Sequence, residues 1–226
     1  MRKYFPLLLV LLTLQSFSVP AQSRERKTIK AGEDLADYVY YLFPSFTNGS
    51  VKLKHGGTST AKLNFNMLLC HMQFLGEHGD TLDIADPLEI DSIIIGDKAF
   101  FYNKGYYEIL DNSNSAKLVV LRTVNYEAVK IGAKGLPSRG GSIDSYTTIR
   151  DDNETRKLIL NQDLDVVVES TYYLMNSRGE MFVANKSSFA TVFDKNKEAI
   201  EGYIKSNKTN YNKEADLKKL FDVCSK

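Results

Sequence analysis

The sequence predicts an α+β protein: a predominantly antiparallel β-meander, arranged as a sandwich or roll, followed by C-terminal α-helices. Three observations predict it. From Gly49 to Val129 apolar residues recur with a period of two. The clusters "GGT", "GEHGD", "NKG" and "DNSNS" cut that stretch at turns. Beyond Asn185 the apolar spacing becomes that of a helix.

The N-terminus bears on compartment. Arg2 and Lys3 precede "PLLLVLLTLQSFSV", an apolar run of signal-peptide length, shorter than the roughly 20 residues a membrane span needs. Val19, Pro20 and Ala21 supply a cleavage site, so residues 1–21 are expected to be a leader removed after Ala21. The mature chain is expected in the periplasm or outside the cell, with no integral membrane segment. Its 27 basic and 28 acidic residues leave a net charge of −1, which argues against nucleic acid as a partner.

Residues 22–31 are polar and charged, and are expected to be a flexible linker. In "GEDLADYVYYLFP", Leu35, Val39, Leu42 and Phe43 have helical spacing, and Pro44 stops the run. A β-rich body is expected over residues 32–131. "SVKLKH" alternates, "TAKLNFNMLLCHMQFL" returns as one strand, and "TLDIA" ends near Pro87. "EIDSIIIGD" and "AKLVVLRTVNYEAV" flank an aromatic hairpin. Residues 132–157, rich in Gly, Ser and Asp, are expected to be a long surface loop. Residues 158–226 should form a hairpin, "LDVVVESTYYLM" with "EMFVAN", and then a pair of helices. Asn207 suits a left-handed stop, and Asn212 suits the N-cap of the last helix.

The hairpin "AFFYNKGYYEIL" carries five aromatic rings in twelve residues. A three-residue loop, Asn103-Lys104-Gly105, closed by Gly in the left-handed region, sets Tyr102 opposite Tyr106, Phe101 opposite Tyr107, Phe100 opposite Glu108 and Ala99 opposite Ile109. Ala99, Phe101, Tyr107 and Ile109 then form the core face. Phe100, Tyr102, Tyr106 and Glu108 form the other. Left open, that face is a candidate ligand-binding patch of three rings and a carboxylate. Covered by a second layer such as the C-terminal helices, it is core.

Chemistry is sparse. His55, His71 and His78 show no zinc spacing, and no Gly-x-Ser-x-Gly elbow exists. "GLPSRGGS" has Gly141 where a phosphate loop needs Lys. Asp80, Asp83, Asp86, Glu89 and Asp91 are close in sequence, but alternate strand positions diverge to opposite faces. No catalytic residue, metal site or cofactor is expected. The two cysteines, Cys70 and Cys224, are either two buried apolar groups or one bridge.

Two stretches carry a resemblance. One runs from "LADYVYYL" through "LFPSFTNGSVKLKHGGTSTAKLNFNMLLCHMQF" to "TLDIADPLEIDSIIIGDKAFFYNKGYYEIL"; the other is "FVANKSSFATVFDKNKEAIEGYIKSNKTNYNKEADLKKL". Together they resemble a family of small exported proteins of Bacteroidetes-type Gram-negative bacteria. That likeness implies a periplasmic or cell-surface setting and brings no catalytic residues. The expected function is a non-catalytic binding or interaction protein of the envelope, with a glycan or an envelope protein as partner. The alternatives are a hydrolase of envelope or dietary polymers and a structural subunit of an envelope assembly.

Overall fold

The computed structural model describes residues 22–33, 40–131, 137–138 and 163–225. The expected leader (residues 1–21), residues 34–39 of the expected short helix, and most of the expected 132–157 loop lie outside the described residues.

The fold is α+β. Its strands are β1 (Gln22–Ile29), β2 (Thr47–Leu53), β3 (Thr58–Asn66), β4 (His71–Leu75), β5 (Thr81–Asp83), β6 (Ile90–Ile95), β7 (Lys98–Tyr102), β8 (Tyr106–Asn112) and β9 (Ala116–Ala128). A small pair follows, β10 (Lys130–Ile131) with β11 (Pro137–Ser138), and then β12 (Leu164–Asn176) and β13 (Met181–Val183). Eleven strands make one open sheet in the order β1-β12-β9-β8-β7-β6-β2-β3-β4-β5, with β13 beside the end of β12. Every pairing is antiparallel. Three helices close the chain: α1 (Lys186–Val192), α2 (Lys197–Asn207) and α3 (Glu214–Cys224).

Strands β9 and β12 pair over thirteen residues each, longer than one core needs. One face of this ribbon therefore serves two cores. Ala116, Leu118 and Val120 of β9, with Tyr172 and Leu174 of β12, lie under the helices against Phe189, Ile200, Leu217 and Phe221. Farther along the same face, Val124, Tyr126, Leu164 and Val166 meet Phe65, Met72, Ile93, Phe100 and Tyr106. The sheet curls back to cover this second core: the Val124 N–H donates to the Met67 carbonyl at 3.0 Å. At Gly49 the curl leaves no room for a side chain, since a Cβ would lie 2.5 Å from the Ile94 carbonyl oxygen.

Several expectations are corrected. Residues 22–29 are not a flexible linker but the edge strand β1, registered against β12 from Gln22↔Thr171 to Ile29↔Leu164. Its charges pair across strands, Arg24 with Glu169 and Arg26 with Asp165 and Glu127, while Ile29 is its buried anchor. Polarity here marks an edge rather than disorder. Residues 40–43 are not helical: Tyr41 bridges Asn66, and the Leu42 N–H donates to the Phe65 carbonyl at 3.0 Å. The expected single strand over residues 60–75 breaks at Met67, because Asn66 Oδ1 accepts from the Leu68 and Leu69 N–H groups at 3.1 and 3.0 Å and turns the chain. The C-terminal helices number three, with a tight 3₁₀ turn at Asp194–Asn196 separating α1 from α2. Lys208, not Asn207, takes the left-handed conformation after α2. Asn212 does not cap α3; its side chain accepts the Gln22 N–H at 2.9 Å and ties down β1.

Cys70 and Cys224 are both free thiols, Cys224 buried at the C-terminal end of α3 and Cys70 half-buried in the β3–β4 turn. Among the described residues no helix is long and apolar enough to cross a membrane, which says nothing of strands.

Candidate functional site

The aromatic hairpin pairs as its sequence predicts: Tyr102↔Tyr106, Phe101↔Tyr107, Phe100↔Glu108 and Ala99↔Ile109. Its loop differs in one respect. Lys104 carries the positive φ of 57°, and Gly105 does not. The two faces are also exchanged. Phe100 is 1 % exposed and packs between Phe43 and Phe65, at ring separations of 6.5 and 6.3 Å. Tyr106 is buried against Phe65, and Tyr102 is half-buried. Glu108 is buried too, and holds Lys98 and Arg122. The face expected to be core is the more open one: Phe101 and Tyr107 stack at 5.6 Å, and Tyr173 abuts Tyr107 at 5.7 Å. A period of two separates faces without saying which is inside. The partly buried cations around Glu108, Lys98 and Arg122, are what let its carboxylate lie inward.

Of the four candidate residues, Phe100 and Glu108 are buried. Tyr102 and Tyr106 line a half-open cleft of about 480 Å³ between the hairpin tip, the β3–β4 turn and the edge strand β5. Leu69, Met72, Ile84 and Pro87 supply its apolar wall, and His71 and Asp83 its polar one. Lys104, Gly105, Cys70 and Ala85 complete the lining.

The polar wall is preorganised. His71 Nδ1 lies 2.7 Å from Asp83 Oδ2, and Gln73 Nε2 donates to Asp83 Oδ1 at 2.7 Å. Gln73 Oε1 in turn accepts from the Tyr41 hydroxyl at 2.7 Å and from Asn66 Nδ2 at 3.2 Å. Asn66 thus builds both the turn and the row behind the wall. Each planar group is oriented by the next, so little conformational freedom remains to be lost on binding.

The protonation states favour hydrogen bonding over proton transfer. Burial, then Tyr102 and Asp83, push the Tyr106 phenol well above its ordinary range, so it keeps its proton. Burial also raises the Cys70 thiol, whose sulfur lies 3.7 Å from the Met67 carbonyl, and a protonated thiol is a poor nucleophile. Asp83 is the one carboxylate lining the cleft, whereas glycoside hydrolysis uses two.

The acidic run disperses. Asp83 takes His71, Glu89 takes His55 at 2.9 Å, Asp91 takes Lys52 at 3.2 Å, and Asp86 accepts the Leu88 N–H at 3.2 Å. Among the described residues no three His, Cys, Asp or Glu side chains group as metal ligands would.

Sequence reasoning missed the His71–Asp83 pair. A five-residue loop, "GEHGD", implies Leu75 opposite Thr81 and Gln73 opposite Asp83, which is the observed register. Two positions along, His71 shares the face of Asp83. No protein-family model, curated protein or solved structure was found to match this chain.

Proposed function

We propose that this chain is a non-catalytic binding protein of the bacterial envelope, and that the cleft between the β7–β8 tip, the β3–β4 turn and β5 is its binding site. One observation carries the reading. The Asp83–His71 end of a preformed row, Tyr41–Gln73–Asp83–His71, lines one cleft together with the phenol rings of Tyr102 and Tyr106. Small-molecule sites combine an apolar wall with a few convergent polar groups in this way. The leader-like N-terminus and the likeness to exported Bacteroidetes-type proteins support the envelope setting. The raised Tyr106 and Cys70 pKa values and the single lining carboxylate favour binding over hydrolysis.

The test is a thermal-shift screen of residues 22–226 against glycans, envelope fragments and common metabolites. A ligand at a hundred times its Kd adds about 2.7 kcal/mol, which raises Tm by roughly 5 °C for a domain of this size. The shift is expected to vanish in His71→Ala and Tyr102→Ala and to persist in Tyr107→Ala on the opposite face. A shift untouched by the first two variants removes the cleft as the site, and no shift from any compound removes the reading.

A further inference from the structure

We propose that the cleft's ligand is a neutral sugar, held through two neighbouring hydroxyls by Asp83 and His71, with the apolar side of its ring on Tyr102. This rests on the reading of the cleft as a binding site, and names what the site selects.

The free hydrogen-bonding positions point to hydroxyl donors. A carboxylate offers about four lone-pair positions, and Asp83 uses one on each oxygen, for His71 and for Gln73. Each oxygen therefore keeps a second position. In the tautomer whose Nδ1–H donates to Asp83, the other ring nitrogen, Nε2, is an acceptor. Two acceptors side by side, each held by a partner behind it, match two adjacent O–H donors. Asp83 and His71 are both about half exposed, so the ligand need not displace them from a packed interior.

Charge argues for neutrality. Asp83 and Lys104 are the fixed charges of the lining, and they are opposite. An anion is repelled by Asp83, and a cation meets Lys104. An acyl chain fares no better: it would cover Asp83 and His71 without replacing their water, leaving polar groups unpaired. A sugar satisfies both walls, since its hydroxyls face outward from the ring and its C–H faces pack on aromatic rings. Tyr102 and Tyr106, with centroids 5.0 Å apart and planes tilted by 64°, offer a ring face beside a ring edge.

The experiment titrates residues 22–226 with methyl glycosides of glucose, galactose, mannose and N-acetylglucosamine, with glucuronate and with octanoate, using calorimetry and amide chemical shifts. At least one neutral glycoside is expected to saturate, with shifts centred on β4, β5 and the β7–β8 tip. Asp83→Asn and Tyr102→Leu should each weaken it by about tenfold or more. The glycoside lacking one of the two hydroxyls should weaken by a similar factor, and Tyr107→Leu should bind as the parent does. Asp83→Asn is isosteric on an edge strand, and its unfolding transition confirms that the fold is kept. Preferential binding of glucuronate or octanoate, lost in Tyr102→Leu, overturns the sugar while leaving the cleft a binding site. Glycoside binding indifferent to both cleft variants overturns the proposed contacts. Binding of none of the compounds overturns the sugar, and with the broader screen also blank the binding reading falls as well.

Discussion

Arg122 Nε donates to Glu108 Oε2 at 3.0 Å, on the line where the two apolar cores meet. On β9, Arg122 separates Val120 of the helix-covered core from Val124 of the curled one. Its other nitrogens reach Ser170 of β12 at 3.0 Å and Glu214 of α3 at 2.8 Å, and Lys98 of β7 closes on Glu108 from the far side. Burial pulls the Arg122 guanidinium pKa down, but Glu108 and Glu214 outweigh it and the net direction is upward. One side chain thus fastens α3 to the sheet.

Removing Arg122 leaves Glu108 inside with one cation fewer. Arg122→Ala is expected to cost about 3 kcal/mol in urea unfolding. The double variant Glu108→Met, Arg122→Met should recover most of that, because an apolar pair leaves no uncompensated charge. Simple additivity of the two single effects would show that the seam is not a coupled unit.

Lys104 and Lys208 adopt left-handed conformations with φ of 57° and 48°. Such a conformation costs a residue with a Cβ about 1 kcal/mol, and glycine almost nothing. Lys104→Gly and Lys208→Gly should each raise stability by up to about 1 kcal/mol, less what glycine loses through a freer unfolded chain. Their effects should add, since the two residues sit in separate turns, β7–β8 and α2–α3. A drop in urea midpoint for either would contradict the backbone account.

Asn66 turns the β3–β4 loop through two accepted N–H bonds and braces Gln73 with its amide. Asn66→Ala should cost roughly 2 kcal/mol and loosen the polar wall of the cleft. Amide exchange should rise at Leu68, Leu69 and Gln73 more than in α3. Uniform loss of protection across the molecule would instead point to global destabilisation alone.

Burial pushes the Cys224 thiol from 9.0 up to about 12, and the Tyr126 phenol from 10.0 to about 12. Both are neutral acids in the fold that ionise earlier once unfolded. Their stabilisation is complete below about pH 9 and is lost as pH climbs toward about 12, at up to about 1.4 kcal/mol per pH unit for each proton. Urea midpoints measured from pH 8 to 11 should fall less steeply in Cys224→Ala. An unchanged slope would place the alkaline weakness elsewhere.

Much of the body was legible locally. The turn clusters locate most of the strands, and loop length alone fixes the register of the aromatic hairpin, because side chains alternate with period two. The helices of the C-terminal segment follow from apolar spacing, though Phe193 and Asn196 break the run where Asn196 Nδ2 turns to cap the Cys224 carbonyl at 2.8 Å. Strand β1 was hidden, because its partners Asp165 and Glu169 lie more than a hundred residues away. The burial of Phe100, Tyr106 and Glu108 was hidden, since a carboxylate such as Glu108 looks exposed until its two cations are known.

Local patterning, then, determined the α+β class, the antiparallel order around the hairpin and the pairing of its rings, because these depend on neighbours a few residues apart. The tertiary structure decided which face of that hairpin is inside, that the N-terminal segment is an edge strand, and that His71, Asp83 and Tyr102 share a cleft. Those outcomes depend on how far a sheet curls and which distant charges it brings together, and no periodicity encodes them.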